Sequence, residues 1–310
     1  MGTRILGWGT ALPSKVVTNH DLEKTLDTSD EWIVERSGIR ERRIGDSTAK
    51  LAIAAGREAL QNANVSPDSI DLLILATTTT DQTVPATSAE VHEALELGGG
   101  AFDLNAACAG FVYSLVTANA MLDAGSKRIL LIGAETLSRI TNWEDRNTAV
   151  LFGDGGGALV LEHVPEEGQL LASDLGIDST ARKFLNAEVG GTIAMDGREV
   201  FKRAVRAMVE SATRTLERAK VRPEEVKLIV PHQANIRIIQ AACDRLGIDR
   251  ERAAIVLDRT GNTSSASIPL ALVDAIENGR LEDGDLVLLT GFGAGMTWGS
   301  ALLRWQVDHV

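Results

Sequence analysis

The sequence predicts a layered α/β fold built from two similar halves, and three observations carry that prediction. Amphipathic helical stretches alternate with short apolar runs of the kind that form buried strands. Leu60, Ala63, Val65, Pro67, Asp68, Ile70 and Leu72 recur 156 positions later as Leu216, Ala219, Val221, Pro223, Glu224, Val226 and Leu228. The order strand, small-residue corner, helix around Cys108 is repeated around Asn262, and Ile129 to Gly133 matches Val287 to Gly291. Two copies of one unit follow: residues 1–165, with the cysteine, and residues 166–310, with a histidine and an asparagine of interest.

Periodicity places helices near 49–63, 87–96, 109–124, 198–219, 235–246 and 265–278. Strand-like runs lie near 4–11, 71–77, 101–104, 128–134, 157–162, 226–230, 254–257 and 285–290. Helices interleaved with buried strands pack as layers, because each sheet face must be covered.

A chain of 310 residues, 44% hydrophobic and 24% charged, can bury a full core. It has no run of 18 apolar residues, and it opens on Arg4 and a strand-like Ile5-Leu6-Gly7-Trp8, so a cytoplasmic protein without membrane insertion is expected. A net charge of −12 argues against nucleic acid as a partner. The charge is uneven: between Val200 and Arg222 seven basic residues face two acidic ones. That stretch is either a solvated helix face or a dock for an acidic partner. Cys108 and Cys243 form no disulfide framework or metal spacing, and the five histidines are scattered, so no metal is expected. Cys243 sits on an apolar helical stretch and reads as core.

Cys108 follows the small residues Asn105 to Ala107 and starts a run with Phe111, Leu115, Ala118 and Leu122 at helical spacing. A thiol at a helix N-terminus meets the positive end of the macrodipole and should ionise below its ordinary pKa of about 8.5. Alone, Cys108 reads equally well as a nucleophile or an inert packing residue. His232 follows the strand 226–230 directly, and Asn262 occupies the corner after 254–257. Each alone could cap a neighbouring helix. Together, Cys108, His232 and Asn262 form a set defined by convergence in space. Gly153-Asp-Gly-Gly-Gly157 lacks a following Lys-Ser/Thr and runs into apolar 158–161, which favours a structural turn over a phosphate loop.

These residues sit in motifs that resemble β-ketoacyl-acyl-carrier-protein synthase III. The motifs are Asp103-Leu-Asn-Ala-Ala-Cys-Ala-Gly-Phe111, Pro231-His-Gln-Ala-Asn-Ile-Arg237, Gly261-Asn-Thr-Ser-Ser-Ala-Ser267 and Gly291-Phe-Gly-Ala-Gly-Met-Thr-Trp-Gly299, with Ser29 to Ile39 and Phe152 to Gly157. The resemblance runs from Arg4 to Trp305. It implies a thiolase-like α-β-α-β-α architecture from two duplicated halves, a homodimer, and ping-pong catalysis in which Cys108 takes an acyl group from acyl-CoA and condenses it with malonyl-acyl-carrier protein. It also implies an oxyanion hole from the backbone N–H groups of Cys108 and Ala294, with Gly293 and Gly295 allowing close approach. His232 and Asn262 would donate to the enolate left by decarboxylation, and Asn235 would orient His232 or its surroundings.

By the same resemblance Trp32 and Arg146 sandwich the adenine of CoA, and Arg36 is available for phosphate. Arg237 and Lys202 lie in a basic area that greets the carrier protein, and Val84 borders the partner subunit's acyl pocket. A valine there is smaller than the phenylalanine of several relatives, and residues 176–195 form a segment a few residues shorter than usual, so primer choice stays open. No cofactor is implied beyond the CoA thioester substrate. Two activities fit: initiation of fatty acid synthesis, or an acyl condensation or transfer in secondary metabolism with an unusual primer. Intact Cys108, His232 and Asn262 speak against a non-catalytic partner subunit.

Overall fold

The computed structural model describes residues 2–165 and 168–306. A five-stranded sheet forms from β1 (Gly2–Ala11), β2 (Leu72–Ala76), β3 (Gly100–Leu104), β4 (Arg128–Thr136) and β5 (Asp154–Val164), in the order β1-β5-β4-β2-β3. A four-stranded sheet forms from β6 (Leu170–Ile177), β7 (Val226–Pro231), β8 (Leu286–Gly293) and β9 (Thr297–Arg304), in the order β7-β8-β9-β6. The second sheet repeats four of the five strands of the first, all but β3. β4 pairs parallel with β2 and antiparallel with β5, as β8 pairs parallel with β7 and antiparallel with β9.

The expected strand at 254–257 is overturned. It would match β3, yet only an isolated bridge joins Ala253 to Ile229. The N–H groups of Val256 and Leu257 instead donate to Gln233 Oε1, at 3.0 and 3.2 Å, so a buried side chain satisfies backbone that a neighbouring strand would otherwise pair. β6 and β9 were not expected from periodicity. β9 is buried on both faces and shows no alternation, while β6 is a half-covered edge strand with a buried Asp174 and a glycine, Gly176.

Helices fill the layers. α1 (Asp30–Ser37) starts where Ser29 Oγ accepts the N–H of Trp32 at 3.1 Å. α2 (Thr48–Asn62) and α3 (Thr87–Leu95) cover the outer face of the first sheet, and α5 (Gly197–Ala219) and α6 (Ile236–Leu246) cover that of the second. Between the sheets lie α4 (Gly110–Asp123) and α7 (Ser267–Glu277), whose Phe111, Leu115, Ile268 and Leu272 are fully buried. Helix α7 carries its proline, Pro269, in the first turn, where the missing N–H has no intrahelical partner to lose. The architecture is therefore thiolase-like, with five layers α-β-α-β-α. Among the described residues no helix is long and apolar enough to cross a membrane.

Because Phe111 is wholly enclosed between the sheets, Phe111→Ala should cost about 3–5 kcal/mol of stability. Met121→Ala on the exposed side of the same helix should stay within about 0.5 kcal/mol. Urea unfolding monitored by circular dichroism tests both.

Candidate active site

The chain turns sharply wherever a site residue is presented. Cys108 sits in a 3-10 turn, Ala107–Ala109, that runs into α4, so the α-helix starts after the cysteine, at Gly110, one residue later than the periodicity implied. Ala107 adopts a φ of +48°, strain that the surrounding packing sustains. Across the seam between the sheets, β8 ends at Gly293 and the chain turns through Ala294–Met296, with Gly295 at φ +72°. A Cβ on Gly293 would stand 2.5 Å from the Cys108 backbone nitrogen, so only glycine lets this backbone come so near. Thr297 Oγ1 contacts the carbonyls of Ala106 at 3.0 Å and Ala294 at 3.1 Å, tying the two turns together.

His232 is delivered by the end of β7, its N–H bonded to Thr290 O at 2.8 Å, and it is only 3% exposed. Its neighbour Gln233 is fully buried and donates to Pro231 O and Ala254 O at 2.7 and 3.1 Å while accepting from Val256 and Leu257. These four bonds clamp the backbone that presents the imidazole. Asn262 is sewn to the segment 151–153 by its own N–H to Leu151 O and its carbonyl from Gly153 N–H. Its Oδ1 accepts the N–H of Ser264 at 2.9 Å. That bond assigns oxygen and nitrogen in the amide and leaves Nδ2 as a donor facing the cavity.

Cys108, His232, Asn262, Ala294 and Phe292 line one cavity of about 1590 Å³. It continues past Leu137, Phe201 and Met208 toward Trp32 and Arg36 at the surface. The three residues singled out from sequence therefore meet at one place.

Their electrostatics correct one expectation. Cys108 opens onto the cavity, yet burial pushes its thiol from 9.0 up to about 12; the Glu135 carboxylate adds to the rise and the Ser264 hydroxyl opposes it. Such a rise represents about 4 kcal/mol. A helix end supplies at most about 2 kcal/mol even in favourable, partly buried geometry. Desolvation wins, and the thiol is protonated at neutral pH instead of ionising easily. Burial likewise pushes His232 down to about 3, so the imidazole is neutral.

Glu135 escaped the sequence reading. It is fully buried at the end of β4 and accepts from the N–H groups of Thr78 and Thr79 at 3.0 and 3.1 Å, from Thr79 Oγ1 at 2.6 Å and from Ser265 Oγ at 3.0 Å. The run of four threonines, Thr77 to Thr80, was the available signal.

At the outer end, Trp32 has the guanidiniums of Arg36 and Arg146 at 4.5 and 4.8 Å from its ring centroid. An aromatic ring held between Trp32 and Arg146 needs about 7 Å, twice a van der Waals contact, so Arg146 must withdraw to admit one. Asn235 caps α6 through Arg237 N–H and donates to Arg36 O, both at 2.8 Å. It makes no bond to His232, and so orients the rim, not the imidazole.

The basic stretch is also narrower than its charge count implied. Arg203 pairs with Asp178 and Glu199, Arg206 with Glu210, Arg214 and Arg218 with Asp174, and Arg222 with Glu225. Among the described residues Lys202 and Lys220 have no ion pair. Lys202 is exposed beside the cavity-lining Phe201, and exposed Arg237 stacks over that ring at 5.9 Å. Arg182, Lys183 and Arg198 add cations to the lining that the sequence reading did not single out. Val84 is 81% exposed and lies outside the lining. The turn expected at Gly153–Gly157 is strand instead: residues 154–157 already belong to β5, with Asp154 accepting the N–H groups of Gly45 and Ser138. Cys243 is fully buried in the core.

Comparison with known proteins agrees with this arrangement. Residues 102–179 match the family described as 3-oxoacyl-[acyl-carrier-protein (ACP)] synthase III, and residues 216–305 match its C-terminal family. A relative named beta-ketoacyl-[acyl-carrier-protein] synthase III from Listeria monocytogenes is 49% identical over 310 residues, covering 98% of this chain and 99% of that protein. The crystal structure of 3-oxoacyl-[acyl-carrier-protein] synthase III from Aquifex aeolicus VF5 superposes with a TM-score of 0.96 at 48% identity, covering 98% of this chain and 100% of the other. The priming beta-ketosynthase of the R1128 polyketide pathway superposes with a TM-score of 0.93 at 35% identity, covering 98% and 96%. With identity near one half along almost its whole length, the chain belongs to the 3-oxoacyl-[acyl-carrier-protein] synthase III family.

Proposed function

We propose that this chain is an acyltransferase that initiates fatty acid synthesis by condensing an acyl-CoA primer with malonyl-acyl-carrier protein to give 3-ketoacyl-acyl-carrier protein. The observation that carries this reading is the meeting of Cys108, His232 and Asn262 in one cavity, at the ends of elements from both sheets.

In the first half-reaction the Cys108 sulfur attacks the acyl thioester carbonyl. The bond from the acyl carbon to the CoA sulfur breaks, and the proton of the thiol ends on the departing CoA. The backbone N–H groups of Cys108 and Ala294 hold the oxyanion between the two steps. Since the thiol starts neutral, loss of its proton accompanies attack.

In the second half-reaction the bond from the malonyl α-carbon to its carboxylate breaks, CO2 leaves, and the electron pair spreads onto the thioester oxygen. His232 Nε2–H and Asn262 Nδ2–H donate to that oxygen, and neither removes a proton from substrate. The α-carbon then attacks the acyl-cysteine carbonyl and expels the Cys108 sulfur. An amide at 262 donates where an ionised carboxylate could not.

The supporting parts of the reading are these. Trp32 and Arg146 take the adenine of CoA once they part, with Arg36 near the phosphates. Lys202 and Arg237 meet an acidic carrier protein. Exposed Val84 supports a homodimer in which it borders the other subunit's acyl pocket. Residues 1–165 and 166–310 are two copies of one unit, which the matching strand orders support. No cofactor takes part beyond the CoA thioester, and the cytoplasm is the expected compartment. The R1128 likeness keeps a secondary-metabolism primer as the second reading, with lower identity behind it.

Incubation with a panel of acyl-CoAs, followed by intact-protein mass spectrometry with and without malonyl-acyl-carrier protein, tests the function. A mass gain on Cys108 discharged as a 3-ketoacyl product is expected; discharge only to water or an alcohol would overturn it. Cys108→Ser should abolish acylation. His232→Ala and Asn262→Ala should still be acylated but each lose about 2.7–4 kcal/mol of transition-state stabilisation in condensation, read from kcat. Alkylation of Cys108 by iodoacetamide in the free enzyme should rise about tenfold per pH unit from about pH 6 to 10 with no plateau, because the thiolate fraction keeps growing below a raised pKa. A plateau near neutrality would show the helix dipole prevailing over burial.

A further inference from the structure

His232 is neutral, so which ring nitrogen holds its proton decides whether it can donate to the enolate at all. The hydroxyl of Ser267, the first residue of α7, lies 2.6 Å from His232 Nδ1, and both residues are buried. The same Oγ accepts the backbone N–H of Gln233 at 3.3 Å. Among the described residues these are its two partners. The serine proton therefore has one acceptor within reach, the lone pair of Nδ1. With that assignment each group of the chain is satisfied: Gln233 N–H donates to Oγ, the hydroxyl donates to Nδ1, and the ring proton sits on Nε2, free for substrate. The opposite tautomer would bring Nδ1–H and Gln233 N–H onto one oxygen and strand the hydroxyl proton in the interior, at a cost typical of an unsatisfied buried donor.

We propose that Ser267 is a positioning residue of the condensation step, whose hydroxyl holds His232 in the tautomer that points Nε2–H into the cavity. The inference rests on the reading of His232 as enolate donor. It also gives a reason for a serine at the last position of Gly261-Asn-Thr-Ser-Ser-Ala-Ser267 beyond helix initiation. One turn supplies Asn262, the second donor, and five residues on supplies the group that orients the first.

The test combines a spectroscopic and a kinetic readout. In the full-length enzyme with ¹⁵N-labelled histidine, with His232 assigned by loss of its signals in His232→Ala, the wild type should show the Nε2–H tautomer. Ser267→Ala should shift population toward Nδ1–H and lower the condensation kcat on the order of ten- to hundredfold, the scale of losing one buried hydrogen-bond partner, while acylation of Cys108 by acyl-CoA proceeds and reports an intact fold. Ser267→Thr, which keeps the hydroxyl, should recover condensation. Wild-type His232 carrying its proton on Nδ1, or Ser267→Ala condensing at the wild-type rate while His232→Ala does not, would overturn this inference alone. Normal condensation by His232→Ala would remove the donor reading, and this one with it.

Discussion

The site depends on one close approach, that of the Gly293 backbone to the Cys108 nitrogen across the seam between the sheets, where a Cβ would stand 2.5 Å away. Neither half encloses the cavity by itself. The Cys108 turn belongs to the first sheet's connection between β3 and α4, while His232, Asn262 and Ala294 follow elements of the second half. Helices α4 and α7 set the distance between these corners, and their buried side chains leave little room for the seam to slip. Thr297 then bonds both turns, and the Glu135 carboxylate, held by the threonines after β2, accepts from Ser265 in the Asn262 turn. Packing brings the halves together, and these polar ties set their register.

Enclosure has an electrostatic consequence that runs against the helix end. The same burial that keeps His232 neutral also keeps the thiol protonated. Low polarity strengthens directed donors such as backbone N–H groups, so a cavity that disfavours a resting thiolate can still stabilise an oxyanion that forms between aimed dipoles. A neutral His232 suits the same logic, because a donor of fixed tautomer needs no protonation change across the working pH range.

Much of the fold was legible in the chain. The 156-residue repeat of Leu60 to Leu72 predicted the duplication, and six helices fell within a few residues of their expected places, because helical periodicity is a local property. Strands β6 and β9 were missed since one is an edge with a buried Asp174 and the other is buried on both faces, so neither alternates. The run 254–257 looked like a strand and is not one, because Gln233, more than twenty residues away, takes its N–H groups.

The identities of Cys108, His232 and Asn262, their order and the corners that carry them were set by the sequence alone. Whether the thiol is ionised, which face of Asn262 donates, that Asn235 serves the rim, and that all five arginines from 203 to 222 are already paired were decided by tertiary structure. Protonation and hydrogen bonding depend on everything within a few ångströms, and those neighbours come from far along the chain. Ser267 and His232 stand 35 residues apart, and Ser265 and Glu135 stand 130 apart. Periodicity reads a residue against its next turn; only the folded chain brings such partners into contact.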